Sequence, residues 1–253
     1  MSGHSKWATI RRSKEANDSK RGQMFTKIGR ELVIAVREGG PDPESNFRLR
    51  LILDKARRAN MPKDNVERAI KRGTGELKGE AALEETTYEG YGPHGTAIMV
   101  HTLSDNKNRT VAEIRHAFTR HGGNLGADGC VSWMFTRRGY IAVNPGDNDP
   151  DDIALTAIDA GAEDVDVSND LVEVYTKPED LKSVQEALAA ASYEINSAEH
   201  YYSPQSMASL DEKATLQNMK LLEDLEGLEY VQGVFSNLDI SDEVAAKYEA
   251  EAA

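Results

Sequence analysis

Apolar residues recur every three or four positions through the first third of the chain, the spacing of helices that bury one face. This spacing predicts three helices, over residues 18–38, 43–60 and 63–72. Gly39-Gly40 ends the first helix, Asp42 caps the second, and Met61-Pro62 separates the second from the third. Three helices with narrow apolar stripes predict one small bundle, which a Gly-rich linker joins to the rest of the chain.

Beyond the linker, the pattern changes to short strands that alternate with helices. Strands are predicted over residues 87–91, 96–103 and 131–135, with a helix over 108–121 before the third strand. A β-α-β-β-α-β run follows over residues 140–201. A helix over 211–225 and a strand over 229–235 come last.

The order of these elements predicts the fold class and the domain organisation. The β-α-β-β-α-β run is typical of a ferredoxin-like sandwich, and the elements after it supply the helix and strand that the set before it lacks. We therefore expect an α+β protein of three domains: an N-terminal helical bundle and two ferredoxin-like α/β domains, the third inserted in the second. The expected bounds are 1–79, 80–136 with 205–240, and 137–204, followed by a frayed helical tail over 241–253. Two successive open α/β units are the alternative.

Charge is divided unequally along the chain. Residues 1–75 hold 18 Lys or Arg and 9 Asp or Glu, a net charge of +9, whereas residues 76–253 hold 12 and 34, a net charge of −22. A basic segment beside so acidic a remainder indicates a polyanion partner that contacts one face. A bland drift of surface charge is the alternative.

Other features of the sequence favour a cytoplasmic protein. The chain has no apolar run long enough to span a membrane, and its first 30 residues lack the apolar region of a secretory signal. The single cysteine, Cys130, has no disulfide partner within the chain, which fits a reducing compartment. We expect no membrane partner.

The sequence has no motif for catalysis or for binding a metal or a cofactor. The six histidines lack metal-ligand spacing, and neither a phosphate-binding glycine loop nor a nucleophile motif is present. The acidic stretch 147–152 lacks the glycine of a calcium loop. We therefore expect no enzymatic activity, no cofactor, no metal and no small-molecule substrate.

Cations of the basic segment are the candidate nucleic-acid contacts, because Lys and Arg neutralise phosphates and release counterions. These cations are Lys6, Arg11, Arg12, Lys14, Lys20, Arg21, Lys27, Arg30, Arg48, Arg50, Lys63, Arg68, Lys71 and Arg72. Trp7 either stacks on an exposed base or anchors the basic arm on the helical bundle. The second and third helices weakly resemble a helix-turn-helix.

A second candidate contact lies at the start of the helix predicted over residues 108–121. Lys107, Asn108 and Arg109 lie at the N-terminus of this helix, which favours an anion such as a phosphate. Ordinary capping of the helix explains these residues equally well.

Four long segments of the chain are distinctive: GHSKWATIRRSKEANDSKRGQMFTKIGREL, NMPKDNVERAIKRG, YEGYGPHGTAIMV and SDNKNRTVAEIRHAFTRHGGNLG. Together they are similar to the YebC/PmpR family, which is also named for its mitochondrial translational activator members. The resemblance extends from residue 3 to the C-terminal ISDEVA. It implies three domains, the third inserted in the second, and no known catalytic activity. Bacterial members of the family are described as DNA-binding transcriptional regulators, and a newer view makes members ribosome-associated factors that help translation through proline-rich stretches.

The basic segment and the resemblance together predict a nucleic-acid-binding regulator of gene expression, acting as a monomeric DNA-binding transcriptional regulator. The alternative is a ribosome-associated translation factor that contacts rRNA or tRNA and relieves stalling at proline-rich stretches. A second alternative is a protein-interaction module, in which the acidic α/β domains carry the function.

Overall fold

The structure of the protein, a computed structural model, describes residues 7, 18–77, 82–168 and 171–252. Over these residues it is a mixed α+β protein with eight α-helices and two four-stranded antiparallel sheets. In chain order the elements are α1 (Asp18–Gly39), α2 (Phe47–Arg58), α3 (Lys63–Gly73), β1 (Glu84–Tyr91), β2 (Ala97–Ser104), α4 (Lys107–Arg120), β3 (Asn124–Leu125), β4 (Phe135–Asn144), α5 (Pro150–Asp159), β5 (Asp164–Val167), β6 (Val172–Thr176), α6 (Leu181–Ala190), β7 (Glu194–Pro204), α7 (Glu212–Glu226), β8 (Val231–Ser236) and α8 (Asp242–Ala252).

The chain divides into two compact units. The first unit consists of the described residues up to Phe135 and from Pro204 onward. The second unit, Thr136–Ser203, is inserted between these two parts of the first. The helical bundle belongs to the same unit as the first α/β sheet. The division into three domains therefore stays a prediction, although the interruption falls within one residue of the expected bounds.

The three predicted helices of the bundle are confirmed, and their apolar stripes form its core. Helix α1 buries Ile28, Leu32 and Val36, and these pack with residues of α2 and α3 such as Leu49 and Ala69. We call the part of the first unit that holds its sheet the sheet domain. Its residues Leu83, just before β1, and Leu103 of β2 belong to the same cluster, so the bundle shares its core with the edge of the sheet domain.

The predicted cap of α2 is wrong. Asn46, not Asp42, caps the helix: its side-chain oxygen accepts a hydrogen bond of 3.0 Å from the Leu49 N–H. Its amide group donates to the Ala35 carbonyl oxygen at 2.7 Å and to the Gly40 carbonyl oxygen at 2.8 Å. One buried side chain therefore satisfies the ends of two helices, which a search for the nearest capping residue does not detect.

The sheet of the first unit has the strand order β3-β1-β2-β8, with helices α4 and α7 in its apolar core. The strand predicted over residues 131–135 is wrong, because Ser132–Met134 forms a 3₁₀ turn. The N–H groups of Val131 and Ser132 donate to the buried Glu89 carboxylate, each at 2.8 Å, and not to a neighbouring strand. The short strand β3 pairs with Gly90 and Tyr91 of β1 in its place.

The strand connections differ between the two units. In the second unit, the chain order β4-α5-β5-β6-α6-β7 gives the sheet order β5-β6-β4-β7, whose β4–β6 and β5–β6 pairs are antiparallel. In the first unit, β1 and β2 form a hairpin, and α4 and α7 precede β3 and β8. The ferredoxin-like arrangement expected of both domains is therefore not confirmed for the first unit, whose helices do not alternate with strands in that order.

The sequence predicted a frayed C-terminal helix, but the structure has α8 packed. Val244 and Tyr248 are buried in the core of the first unit, and the Tyr248 hydroxyl donates a 2.5 Å hydrogen bond to Glu223 of α7. Apolar residues four positions apart lie on one face of a helix, and this face covers α7.

Candidate nucleic-acid interface

Helix α3 presents cations to solvent because its other face packs against the bundle. Val66, Ala69 and Ile70 contribute to the core, and the opposite face carries Arg68 and Lys71, both exposed. These two side chains lie one helical turn apart, about 5–6 Å between β-carbons. In the described part of the chain, neither has an acidic group at ion-pair distance.

More cations surround the turn between α2 and α3. Arg57 is 80% exposed with one nitrogen 3.1 Å from Asp54, and Lys63 is 87% exposed with its ammonium 3.7 Å from Glu67. Arg58 is also exposed. Arg57 and Arg58 were missed by the prediction from sequence, although two consecutive arginines near the end of a predicted helix were a usable signal.

The two helices and their turn form one basic surface. Residues 47–73 hold nine Lys or Arg and three Asp or Glu, a net charge of +6. We call Arg57, Arg58, Lys63, Arg68 and Lys71 the α2–α3 cation cluster. Exposed guanidinium and ammonium groups at this density attract phosphates and release their counterions.

Helix stability explains only part of the cluster. Cations in the last turn of a helix interact favourably with its dipole, which accounts for Arg57, Arg58 and Lys71. It does not account for Arg68, which lies outside the last turn of α3. The position of Arg68 is therefore not explained by the helix dipole.

Three predicted cations hold the bundle against the sheet domain. The Lys27 ammonium donates to the Glu226 carbonyl oxygen at 2.5 Å, and the Arg30 guanidinium lies 2.5 Å from the Glu229 carboxylate. Arg48 contacts Glu38 at 2.6 Å and Glu85 at 3.3 Å. Arg30 and Arg48 are paired with carboxylates, and Lys27 donates to a carbonyl oxygen, so these residues are weaker candidates for phosphate contacts.

The other predicted cations of α1, α2 and α3 are partly engaged. Arg21 is exposed, with its guanidinium carbon 5.9 Å from the centroid of the Phe25 ring. Arg50 lies at the same distance from the Phe47 ring and donates to the Glu44 carbonyl oxygen at 3.4 Å. Arg72 is half-buried. Only Arg21 of these three is presented like the α2–α3 cation cluster.

Trp7 is buried in the first unit, with 4% of its surface exposed. Its indole N–H donates to the Glu226 carboxylate at 3.1 Å, and its ring centroid lies 6.1 Å from that of Tyr248. The sequence left two alternatives for Trp7, stacking on a base or anchoring the arm on the bundle. In the structure the ring is anchored, but it packs against α7 and α8 and not on the bundle. A ring in this position has no open face for a base.

The remaining cations of the basic arm fall outside the structural description. Lys6, Arg11, Arg12 and Lys14 lie outside the described residues, and so does the side chain of Lys20, whose backbone belongs to α1. Their contacts with nucleic acid stay a prediction.

The second candidate contact, at the start of α4, is occupied by the chain's own groups. The Asn106 side chain accepts from the Arg109 N–H at 3.0 Å, so the helix N-terminus is capped. The Lys107 ammonium lies 2.5 Å from Glu84, whose hydrogen bond raises the pKa of Lys107. Arg109 lies 3.6 Å from Asp105, and Asn108 is exposed. This geometry favours ordinary capping over an anion site.

The described residues show neither a metal-ligand cluster nor a membrane-spanning helix. Within the described ranges, no three His, Cys, Asp or Glu side chains come together as they would to hold a metal ion. None of the helices in those ranges is both long enough and apolar enough to cross a membrane.

Two family models match the chain and together span most of its length. The model for the TACO1/YebC protein N-terminal domain matches residues 5–76, and the model for the TACO1/YebC second and third domain matches residues 83–238.

Curated relatives match over their full length. A protein of Dehalococcoides mccartyi is 50% identical over 100% of both chains, and one of Desulfosudis oleivorans is 51% identical over 96% of this chain and 99% of its own. Both are named probable transcriptional regulatory protein. Among solved structures, the crystal structure of a conserved hypothetical protein from Aquifex aeolicus is 46% identical, with a TM-score of 0.83 over 89% of this chain and 93% of its own.

Proposed function

We propose that this chain, which belongs to the TACO1/YebC family, regulates gene expression by binding nucleic acid through its helical bundle. The observation that carries the proposal is the α2–α3 cation cluster, above all Arg68 and Lys71, which are exposed and have no acidic partner in the described chain. The regulatory role rests on relatives named probable transcriptional regulatory protein.

The cations give affinity for the nucleic acid, and the acidic segment after residue 75 determines which part of the protein contacts it. Each phosphate that Lys or Arg neutralises releases counterions, so affinity falls steeply with salt. The segment after residue 75 carries a net charge of −22 and repels a polyanion, which restricts contact to the bundle. Attraction at one end and repulsion elsewhere orient the protein on its target.

Duplex DNA is the proposed target, because transcriptional regulation is the role given in the names of the relatives. The alternative is ribosomal or transfer RNA bound by a translation factor at proline-rich stretches. Arg68 and Lys71 are exposed, and Lys and Arg contact the phosphates of RNA as they do those of DNA. Both targets use the same cations.

The test uses the full chain and two double variants with the same change in charge. Arg68→Ala/Lys71→Ala removes the two cations of α3 that have no acidic partner among the described residues. Lys213→Ala/Lys220→Ala removes two exposed cations of α7, in the sheet domain, and is the matched control. Binding to a fluorescent duplex, to single-stranded RNA and to purified ribosomes is measured between about 50 and 200 mM salt.

The α3 variant should bind more weakly, with a salt slope lower by about two, one for each lost phosphate contact. The control should match the wild type. Equal binding by the wild type and the α3 variant, with an equal slope, would refute the proposed surface. Binding to ribosomes but not to the duplex, with the same dependence on Arg68 and Lys71, would select the translation factor.

We propose further that the protein is a cytoplasmic monomer without catalytic activity. We also propose a ferredoxin-like fold for the inserted unit, supported by its antiparallel strand order β5-β6-β4-β7.

A further inference from the structure

The inserted unit, Thr136–Ser203, carries half of the net negative charge that follows residue 75. Its residues include 15 Asp or Glu and 4 Lys or Arg, a net charge of −11, compared with −22 for residues 76–253. Such a surface repels nucleic acid and anionic lipid alike. Beyond this repulsion, nucleic-acid binding through the α2–α3 cation cluster gives the unit no contact of its own.

Helix α5 of this unit is apolar on two opposite sides. Ile153 and Ala157 are completely buried and attach it to the sheet of the unit. Leu155 and Ile158 lie on the other side, with 60% and 53% of their surfaces exposed. A surface helix of a folded domain normally has one apolar stripe, so a second stripe indicates a partner that covers it.

Carboxylates border the exposed stripe. Asp151 precedes Leu155 by four residues and Asp152 precedes it by three, so both lie one turn away along the outer face. Asp159 follows Ile158 directly and is exposed. In the described part of the chain, no Lys or Arg pairs with these three carboxylates.

Helix stability explains Asp151 and Asp152 but not Asp159. Acidic groups in the first turn interact favourably with the helix dipole, whereas an acidic group in the last turn is unfavourable. Asp159 ends α5, where the last turn has no basic residue. A carboxylate that costs helix stability and borders an exposed apolar stripe fits a role in binding.

We infer that the outer face of α5 is a docking surface for a basic protein. The partner's Lys and Arg side chains pair with Asp151, Asp152 and Asp159, and its apolar side chains cover Leu155 and Ile158. The negative charge of the unit favours a basic partner. The exposed apolar stripe favours a protein, because a protein can offer apolar side chains to cover it. Two apolar side chains are a small part of the roughly 800 Å² that each partner buries in a stable complex, so the contact is transient.

The test measures the affinity of the full chain for a fluorescent amphipathic peptide by anisotropy. The peptide is helical, with Leu on one face at positions i, i+3, i+4 and i+7 and Lys or Arg on the other faces. A peptide of the same composition, shuffled to have no apolar face, separates docking from charge attraction. The protein variants are Leu155→Ser/Ile158→Ser and the control Met207→Ser, which changes an exposed apolar residue of the other unit.

Leu155→Ser/Ile158→Ser should weaken binding about tenfold or more at unchanged net charge, and Met207→Ser less than about twofold. Asp151→Asn/Asp152→Asn/Asp159→Asn should also weaken binding and reduce its salt dependence. Equal affinity for the two peptides, or for wild type and the Ser double variant, overturns the inference. Sedimentation that shows a dimer lost in the Ser double variant assigns the face to a second copy and overturns it too.

Discussion

Gly73 of α3 lies directly against Val36 of α1. A β-carbon on Gly73 would come within 2.6 Å of the Val36 β-carbon and 2.9 Å of the Val33 carbonyl oxygen. Packed atoms do not tolerate such distances, so any side chain at this position separates the two helices. Gly73→Ala should lower the free energy of unfolding by about 1–3 kcal/mol, although alanine favours a helix more than glycine does. Urea unfolding followed by circular dichroism measures this loss.

Gly22 provides the matched control for this prediction. It lies in α1 of the same bundle and is exposed, and a β-carbon at this position would meet no atom within 4 Å. Gly22→Ala should raise the free energy of unfolding by about 0.5–1 kcal/mol, because it only reduces the freedom of the unfolded chain. If both variants were more stable than the wild type, the close contact between α3 and α1 would be refuted.

The two tryptophans of the chain should differ sharply in their access to solvent. Trp7 is 4% exposed and Trp133 is 69% exposed. In Trp133→Phe, the remaining Trp7 should resist quenching by acrylamide, and in Trp7→Phe, the remaining Trp133 should be quenched several-fold more strongly. Similar quenching in the two single-tryptophan variants would contradict the anchored position of Trp7.

The same variants decide between the two roles considered for Trp7. A base stacked on the indole would change the fluorescence of Trp133→Phe when nucleic acid is added. The hydrogen bond to Glu226 and the contact with Tyr248 predict no such change at saturating nucleic acid. Binding in that titration is monitored through a label on the nucleic acid.

Local signals in the sequence locate elements well but do not identify how they end. Helix α2 ends at Arg58. Asn60, two residues later, has a left-handed φ of 53° that lets the Met61 N–H reach the Ala56 carbonyl oxygen at 2.9 Å. Asparagine tolerates this conformation better than most residues, and the Met61-Pro62 pair that suggested the stop only follows it. The pattern therefore predicts the helix, and the backbone geometry decides its end.

Contacts between distant segments could not be predicted from the sequence at all. Lys27 and Arg30 look like free cations of a basic stripe, yet their partners, Glu226 and Glu229, lie 199 positions further along the chain. The charge pattern locates the basic segment but does not show which of its cations have partners within the fold. The fold brings α1 against the end of α7. Only this contact distinguishes the paired Lys27 and Arg30 from the exposed Arg68 and Lys71.

Glu85 should make stability depend on pH in the acid range. The hydrogen bond from His101, at 2.6 Å, and the Arg48 guanidinium lower the pKa of Glu85 from 4.5 to about 2, although burial opposes the shift. Because the folded pKa is the lower one, the stabilisation is complete above about pH 4.5 and is lost as the pH falls towards 2. Solvent screens this half-exposed group, so Glu85→Gln should cost about 1 kcal/mol at neutral pH.

Urea unfolding at several pH values between neutral and about 2.5 tests this dependence. The difference in unfolding free energy between wild type and Glu85→Gln should shrink as the pH falls. Glu44→Gln, which changes an exposed carboxylate of the bundle, serves as the control and should give a small difference. A difference for Glu85→Gln that stays constant down to the lowest pH would contradict the assigned contacts.

Glu89 should hold the loop that carries Cys130. Its carboxylate accepts the N–H groups of Gly129 at 2.9 Å and of Val131 and Ser132 at 2.8 Å. Burial raises the pKa of Glu89, but these donors outweigh burial and keep the pKa below its ordinary value. Glutamine keeps one acceptor oxygen and turns an N–H₂ group towards a donor, so Glu89→Gln should cost about 1–3 kcal/mol.

The thiol of Cys130 gives this prediction a local measurement. Burial and the nearby Glu89 charge raise the pKa of Cys130, so the wild-type thiol should react slowly with a disulfide reagent near neutral pH. Glu89→Gln removes the charge and loosens the loop, and both changes should increase the rate. Glu84→Gln, on the same strand but exposed, should leave the rate unchanged. A thiol that reacts equally fast in the wild type and in Glu89→Gln would show that the carboxylate does not hold this loop.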